Sequence, residues 1–458
     1  MKKMVRLLCL MLALIWCIPA SAEGYTVVID TEQTLQTDFM GFGVQWDPHA
    51  ESFVLDSAWK KLIERVDYLS PQLVRCMVLA RWYIKGVDEG QPRLDFDNYE
   101  MRQAMRVLDY CQANDIKVVW GDWGPPTNLG LRFDDVAWAR AMAQCVAYLR
   151  RDCGYTCIRY VNIGNEPDGS WSDCGSFPLY AAAVKNLYQE MDALDLLDEV
   201  DISGPDVYGD WNWLDQSIEH LNTELGNFDF HWYPDAINVM TGNLEIRLRR
   251  KLSRLTEQIG ERDVFICEIG MVDGKNSADQ NPSVREYWYG VSMADALIQA
   301  VRGGVSGVMA WDLEDSMHPT GREYKTWGFY NMKGGEEEQK LRPWFYPYSL
   351  LCRLFPQGCD ILTTQCNAAF GVRVLAMKDD QGNLSIAVVN NSGEETSLNI
   401  TAEAAFPVMY RYTYLEGEHP TDGNGFPVPG HVLENVDLSL GISVTMPADG
   451  VVFLTTIR

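Results

Sequence analysis

The chain divides by the period of its apolar positions. Over 41–47, 73–78, 116–120, 160–167, 200–203, 228–234, 264–268 and 305–311 the residues are largely apolar for the length of a strand, the texture of strands covered on both faces. Between these runs the spacing changes to that of a helix. Trp59, Leu62, Ile63, Val66 and Leu69 share one face over 57–69. Met101, Ala104, Met105, Leu108 and Cys111 do so behind Asp97 and Glu100, whose spacing predicts a capping box. Val136, Ala139, Met142, Ala143, Val146 and Leu149 follow Asp134 and Asp135, either of which is placed to cap. Further helices are predicted over 179–196, 243–259, 285–302 and 343–355. Eight strands interleaved with helices imply parallel pairing through helical crossovers, and eight closes a (β/α)8 TIM barrel over 36–350. A doubly wound open sheet is the competing arrangement.

Past residue 350 the texture changes to short alternating runs at 372–377, 384–389, 396–400, 408–414 and 451–457, with turn residues at 379–383 between two of them. This predicts a C-terminal all-β sandwich over 351–458. The strand-like stretch 24–30 precedes the first barrel strand, and 23–35 is assigned to that sandwich. Tyr410, Tyr412 and Tyr414 alternate and so share a face, which fits either a carbohydrate-binding surface or a domain interface.

Residues 1–22 read as a secretory signal peptide: Lys2, Lys3 and Arg6, then an apolar run too short to span a bilayer, then Ala20-Ser21-Ala22. The mature chain is expected to start at Glu23 and to be secreted or periplasmic. Trp16 before Cys17 does not fit a lipoprotein cleavage site, and no later stretch is apolar enough for a membrane span. Formal net charge is −26, three units more negative once the leader cations are lost. That excess repels nucleic acid and anionic lipid and suits a neutral substrate, and it also simply keeps a protein soluble. Of 12 cysteines, ten follow the leader, too few for a disulfide scaffold; Cys352, Cys359 and Cys366 lie close in sequence, but no pairing follows from that. No Cys-x-x-Cys or His-Glu-x-x-His spacing and no usable glycine-rich phosphate loop occurs, so neither metal nor cofactor is implied. The pattern says nothing of oligomeric state.

In a barrel the chemistry sits at the carboxyl ends of the strands. There strand one offers Trp46 and Asp47, strand two Arg75, strand three Asp122 and Trp123, and strand four Asn165 and Glu166. Strand six offers His231, Trp232 and Tyr233, strand seven Glu268, and strand eight Trp311 and Asp312. Pro167 cannot extend a ladder, so Glu166 is pinned at a strand end. Two carboxylates, amides for hydroxyls and flat rings for sugar faces are what glycoside hydrolysis needs. Each residue also has a plainer reading. Glu166 could cap a loop, Arg75 could be a structural ion-pair partner, and His231 could be packed between Phe230 and Trp232. The tryptophans could be core, and the aspartates could bind hydroxyls or cap loops.

Gly164-Asn165-Glu166-Pro167 after strand four, and Glu268 closing Phe-Ile-Cys-Glu after strand seven, resemble the signatures of glycoside hydrolase clan A, the retaining barrel hydrolases. The attached sandwich resembles that of families 30, 39 and 51, and Gly124-Pro125-Pro126 is similar to the proline-rich end of strand three in families 30 and 39. The resemblance spans 40–350. It implies a retaining glycoside hydrolase; together with the leader, the expectation is a secreted enzyme that cleaves β-linked glycosides in oligo- or polysaccharides of xylan or glucan type. Glu268 would be the nucleophile and Glu166 the acid/base, protonated when substrate binds because of burial and the Glu268 charge. Arg75 and Tyr233 would donate to Glu268 and keep it ionised, and Asn165 would hold the sugar 2-hydroxyl. His231 and Trp311 would support the site, with Trp46 and Trp123 as further substrate-binding rings. Retention calls for carboxyl groups about 5–5.5 Å apart. The competing readings are a non-catalytic carbohydrate-binding protein on the same scaffold, a functional module in the sandwich, and a metal-dependent barrel hydrolase.

Overall fold

Eight parallel strands close into a barrel in strict sequence order in the computed structural model, which describes residues 24–48, 55–317, 324–368 and 370–458. The leader read at 1–22 lies outside these residues. The strands are Gly41–Gln45, Leu73–Val78, Lys117–Asp122, Ile158–Asn162, Asp201–Val207, Asn227–Trp232, Val264–Ile269 and Gly307–Ala310. Strands two, six and seven are buried at every position, because the inner face packs on the barrel core and the outer face on helices. Helices Asp56–Leu69, Tyr99–Ala113, Val136–Ala147, Phe177–Asp192, Asn243–Ile259, Tyr287–Arg302 and Phe345–Leu354 fall where the apolar spacing places them. The third-strand crossover begins one residue later than the capping-box reading has it: Asn98, not Asp97, accepts the Met101 N–H. Among the described residues no helix is long and apolar enough to cross a membrane.

A ninefold sheet forms the second layer system. It runs His431–Asp437, Ala405–Leu415, Gly450–Thr455, Leu384–Asn390, Val372–Lys378, Cys359–Cys366, Tyr25–Phe39, Thr396–Ala402 and Ile442–Met446. It wraps into a sandwich around a core of its own that includes Val27, Ile29, Val374, Ile386, Ile400, Val444 and Leu454. The first strand pairs antiparallel with Cys359–Cys366 and parallel with Thr396–Ala402, then passes straight into the first barrel strand. One continuous segment thus belongs to both halves. The ten cysteines from Cys76 to Cys366 are free thiols. Cys359 and Cys366 stand at opposite ends of one strand, about 23 Å apart at ~3.3 Å per residue, far beyond disulfide reach.

The tyrosine face of Ala405–Leu415 belongs to the interface. Tyr414 stacks on Tyr287 with centroids 4.7 Å apart and on Tyr346 at 5.5 Å, and Tyr287 Oη donates to Tyr414 O at 3.1 Å. The rings turn toward the barrel helices, which removes the reading of this face as a solvent-exposed sugar platform. Beside it Arg373 Nη1 donates to both oxygens of the fully buried Asp295 at 2.8 Å. Asn391 and Gln299 complete the Asp295 shell at 2.9 and 2.8 Å. Removing one partner of such a pair strands the other charge without solvent. Arg373→Met should therefore lower unfolding stability by about 3–5 kcal/mol, read from urea denaturation, with much of the loss recovered in an Asp295→Leu background.

Candidate active site

Arg75 enters the barrel mouth from strand two, fully buried, and donates in four directions. Nη1 reaches Gln45 Oε1 and Glu268 Oε1, the latter at 2.6 Å. Nη2 reaches Asn165 Oδ1 at 2.8 Å and Asp206 Oδ2 at 2.6 Å. His231, equally buried on strand six, sits between three acids. Its Nδ1 lies 2.9 Å from Glu166 Oε1 and 3.3 Å from Glu268 Oε2, and its Nε2 lies 3.0 Å from Asp206 Oδ1. Tyr233 Oη donates to Glu268 Oε2 at 2.6 Å. Oxygens of Glu166 and Glu268 lie within 4.8 Å of each other. Glu166 is held at that spot by a left-handed backbone, φ 44°, an uncommon conformation for a residue with a side chain.

Electrostatics follow from this packing. Burial alone would depress the His231 pKa, but Glu268, Asp206 and Glu166 outweigh it and hold the imidazole well above its usual value. The surrounding acids favour the doubly protonated ring, with Nδ1 toward Glu166 and Nε2 toward Asp206. Asp206 is penalised by burial, yet Arg75 and His231 pull its carboxyl below the usual range. Burial pushes Glu268 upward, and His231, Arg75 and the Tyr233 hydroxyl oppose it. Beneath them, burial and the Asp206 charge push Asp229 up to about 6. Among the described residues two triads have ligand atoms close enough for a metal, Glu166–His231–Glu268 and Asp206–Asp229–Cys267. In the first, His231 already engages Glu166 and Asp206 through its two nitrogens, and Glu268 accepts from Arg75 and Tyr233. In the second Asp206 is already taken by Arg75 and His231, and Asp229 accepts from Ser203 and from the Asp206 N–H.

A cleft of about 740 Å³ opens over Glu166 and Glu268. Asn165, Tyr233, Trp123, Trp311 and Asp47 also line it. Trp123 and Trp311 meet edge to face, centroids 6.0 Å apart. Tyr208, Tyr233 and Trp327 form a second run of rings on the lining, 5.7 and 5.5 Å between successive centroids. Other sequence candidates lie elsewhere. Arg75 and His231 do not face the cleft; they lie behind the acids and act on them, not on a ligand. Trp46 touches the wall, but its ring is buried against Trp59 and Tyr110, at 5.9 and 5.5 Å, so it offers no platform. Asp122 is buried under Tyr83 Oη and Trp138 Nε1, at 2.5 and 3.0 Å, out of reach of the cleft. Asp312 is buried with Ser316. Two site residues escape the sequence reading. Asp206 ends a strand too weakly apolar to draw attention, and Trp171, which donates to Glu166 Oε2 at 2.9 Å, sits in a loop.

A barrel with acids at the ends of strands four and seven, joined to a sandwich, is the architecture of the glycoside hydrolases of clan A, and the chain shares that fold. It aligns with a family 30 endoxylanase from Clostridium papyrosolvens at 12% identity, TM-score 0.67, covering 94% of this chain and 100% of that one. A family 39 β-xylosidase from Caulobacter crescentus aligns at 16% identity, TM-score 0.65, over 94% and 100% of the two chains. An α-L-arabinofuranosidase from Thermotoga maritima aligns at 14%, TM-score 0.64, over 95% and 100%. At such identities the likeness is one of fold. No protein-family model matches the chain, and no curated protein matches it.

Burial raises the Asp122 carboxyl to about 7 from an ordinary 3.8. A carboxyl raised in the folded state lends stability that is complete below its unfolded pKa and lost as pH rises through the folded one. The stability of the protein relative to Asp122→Asn should thus fall between about pH 4 and 7, by ~4 kcal/mol at most, and then level off. Parallel urea titrations across that range measure it.

Proposed function

We propose that the protein is a retaining β-glycosidase acting on neutral oligo- or polysaccharides of xylan or glucan type. The observation that carries this reading is the approach of Glu166 and Glu268 to within 4.8 Å across a cleft walled by aromatic rings. Retaining enzymes set their carboxyl groups about 5–5.5 Å apart, whereas inverting ones leave about 6.5–9.5 Å for a water. The charges divide the roles. Glu268, directly paired with Arg75 and hydrogen-bonded by Tyr233, is the carboxylate that attacks the anomeric carbon. Glu166 gives its proton to the departing glycosidic oxygen as the C–O bond breaks, leaving a glycosyl ester on Glu268. Glu166, now ionised, takes a proton from water, which displaces the sugar and returns Glu268 as carboxylate. Asn165, oriented through Oδ1 by Arg75, keeps its amide N–H2 for the sugar 2-hydroxyl. Trp311 and Trp123 form one surface for ring faces, Tyr233 and Tyr208 a second. The leader-like residues 1–22 support an exported enzyme.

A panel of aryl β-xyloside, glucoside, galactoside and arabinoside, together with xylan and β-glucan, tests the reading. Glu268→Ala and Glu166→Gln should each lower kcat/KM on a glycosidic linkage by about 10³-fold or more, and proton NMR of the first product should show retained configuration. Equal release by wild type and Glu268→Ala, or an inverted product, would contradict it. Folded, soluble protein that binds an oligosaccharide and turns over none would favour the non-catalytic carbohydrate-binding reading.

A further inference from the structure

The two oxygens of Glu166 have unlike surroundings. Oε1 faces inward to His231 Nδ1 at 2.9 Å. Oε2 faces outward to the loop after strand four and accepts from Trp171 Nε1–H at 2.9 Å. His231 is completely buried, whereas Trp171 is 60% exposed. Oε2 is thus on the side of the exposed loop and Oε1 on the side of the buried imidazole. The indole N–H occupies one acceptor position of Oε2, and a ligand group that binds that oxygen there must displace it.

The loop is built to allow this movement. Its base is fixed: Asp168 accepts from the backbone N–H groups of Tyr208, Gly209 and Asp210, and Gly175 N donates to Pro167 O at 3.1 Å. Its tip is not packed in the same way. Trp171 folds back over Gly169, where a Cβ would stand 2.5 Å from indole Cε2 and 2.8 Å from Nε1. Its ring neighbour is Tyr208, edge-on at 5.4 Å on the cleft wall. A ring turned out from this position presents a flat apolar face beside the acid, and flat faces are what sugar rings stack on.

We propose that Trp171 is a positioning residue for Glu166 that couples proton donation to the leaving group. In the free protein its indole N–H caps Oε2, a hydrogen bond that a carboxylate accepts. A leaving-group sugar displaces the indole, stacks on it, and leaves Oε2 open to hold the proton it donates. This rests on the glycosidase reading. The other charged groups around Glu166 are His231 and Glu268 at first contact, with Tyr233, Arg75 and Asp206 beyond them. His231, Glu268, Arg75 and Asp206 are on barrel strands and Tyr233 directly follows one, so a substrate entering the cleft removes the Trp171 contact and leaves theirs in place.

Two variants test the coupling from opposite directions. Trp171→Phe keeps a ring and deletes the donor; Gly169→Ala keeps the donor and pushes the ring off Glu166. Both should move the alkaline limb of kcat/KM, which reports the free enzyme, to higher pH by about half a unit or more, and leave the alkaline limb of kcat, which reports the complex, unmoved. Trp171→Ala should in addition raise KM for an oligosaccharide more than for an aryl glycoside. Unshifted kcat/KM limbs in both variants, or equal shifts in kcat and kcat/KM, overturn the proposal. Carbon-13 NMR titration of the Glu166 carboxyl, assigned with Glu166→Gln, reads the same contact without turnover. Its midpoint should rise in both variants, and an unchanged midpoint overturns the proposal whatever the substrate. A raised midpoint in a protein that cleaves no glycoside would count against the glycosidase reading while upholding the Trp171–Glu166 link.

Discussion

Two buried side chains, Arg75 and His231, tie together Glu166, Asp206 and Glu268 at the barrel mouth. Each is fully enclosed, and each spans acids from different strands. A buried charge without a partner costs several kcal/mol, so neither is tolerable without its carboxylates nor the carboxylates without it. Arg75 pairs directly with both Asp206 and Glu268. The third acid, Glu166, meets that set through His231 Nδ1 at 2.9 Å. The packing of the site thereby distinguishes two chemically identical side chains: one paired with a guanidinium and a phenol, the other at the edge with one oxygen toward the cleft.

The scaffold exists to hold this set still. Parallel strands bring side chains from chain positions 75, 166, 206, 231 and 268 to one end of one barrel. Asp229 works one step below. It accepts from the Asp206 N–H at 2.6 Å and so fixes the backbone, φ 56°, that aims Asp206 at Arg75 and His231. The sandwich shares its first strand segment with the barrel and grips helix Tyr287–Arg302 through Arg373 and Tyr414. That helix leads into the eighth barrel strand and so to Trp311 on the cleft wall.

The barrel was readable because covered parallel strands leave long apolar runs and their crossovers leave helical spacing. Glu166 stood out because Pro167 ends the strand at it, and Glu268 because four residues of buried strand precede it. Elements that lack such a contrast stayed hidden. Helix Asn212–His220 is only nine residues long, and strand His431–Asp437 is a largely exposed, polar sheet edge. Asp206 follows Gly204-Pro205, a pair that reads as a turn, although the strand continues through it to Val207. The tryptophans show the converse limit. Trp46 and Trp311 both close strands, yet one turns into the core and the other faces the cleft. A one-residue difference in register decides that, and composition does not record it.

The central claim is that Glu268 is the nucleophile of a covalent double displacement. Incubation with activated 2-deoxy-2-fluoro β-glycosides of the xylo, gluco and galacto series, followed by peptide mass spectrometry, addresses it most directly. The account requires one fluorosugar to add stoichiometrically to the peptide holding Glu268, with no addition in Glu268→Ala. A label on any other residue, or undiminished labelling of the alanine variant, would contradict it.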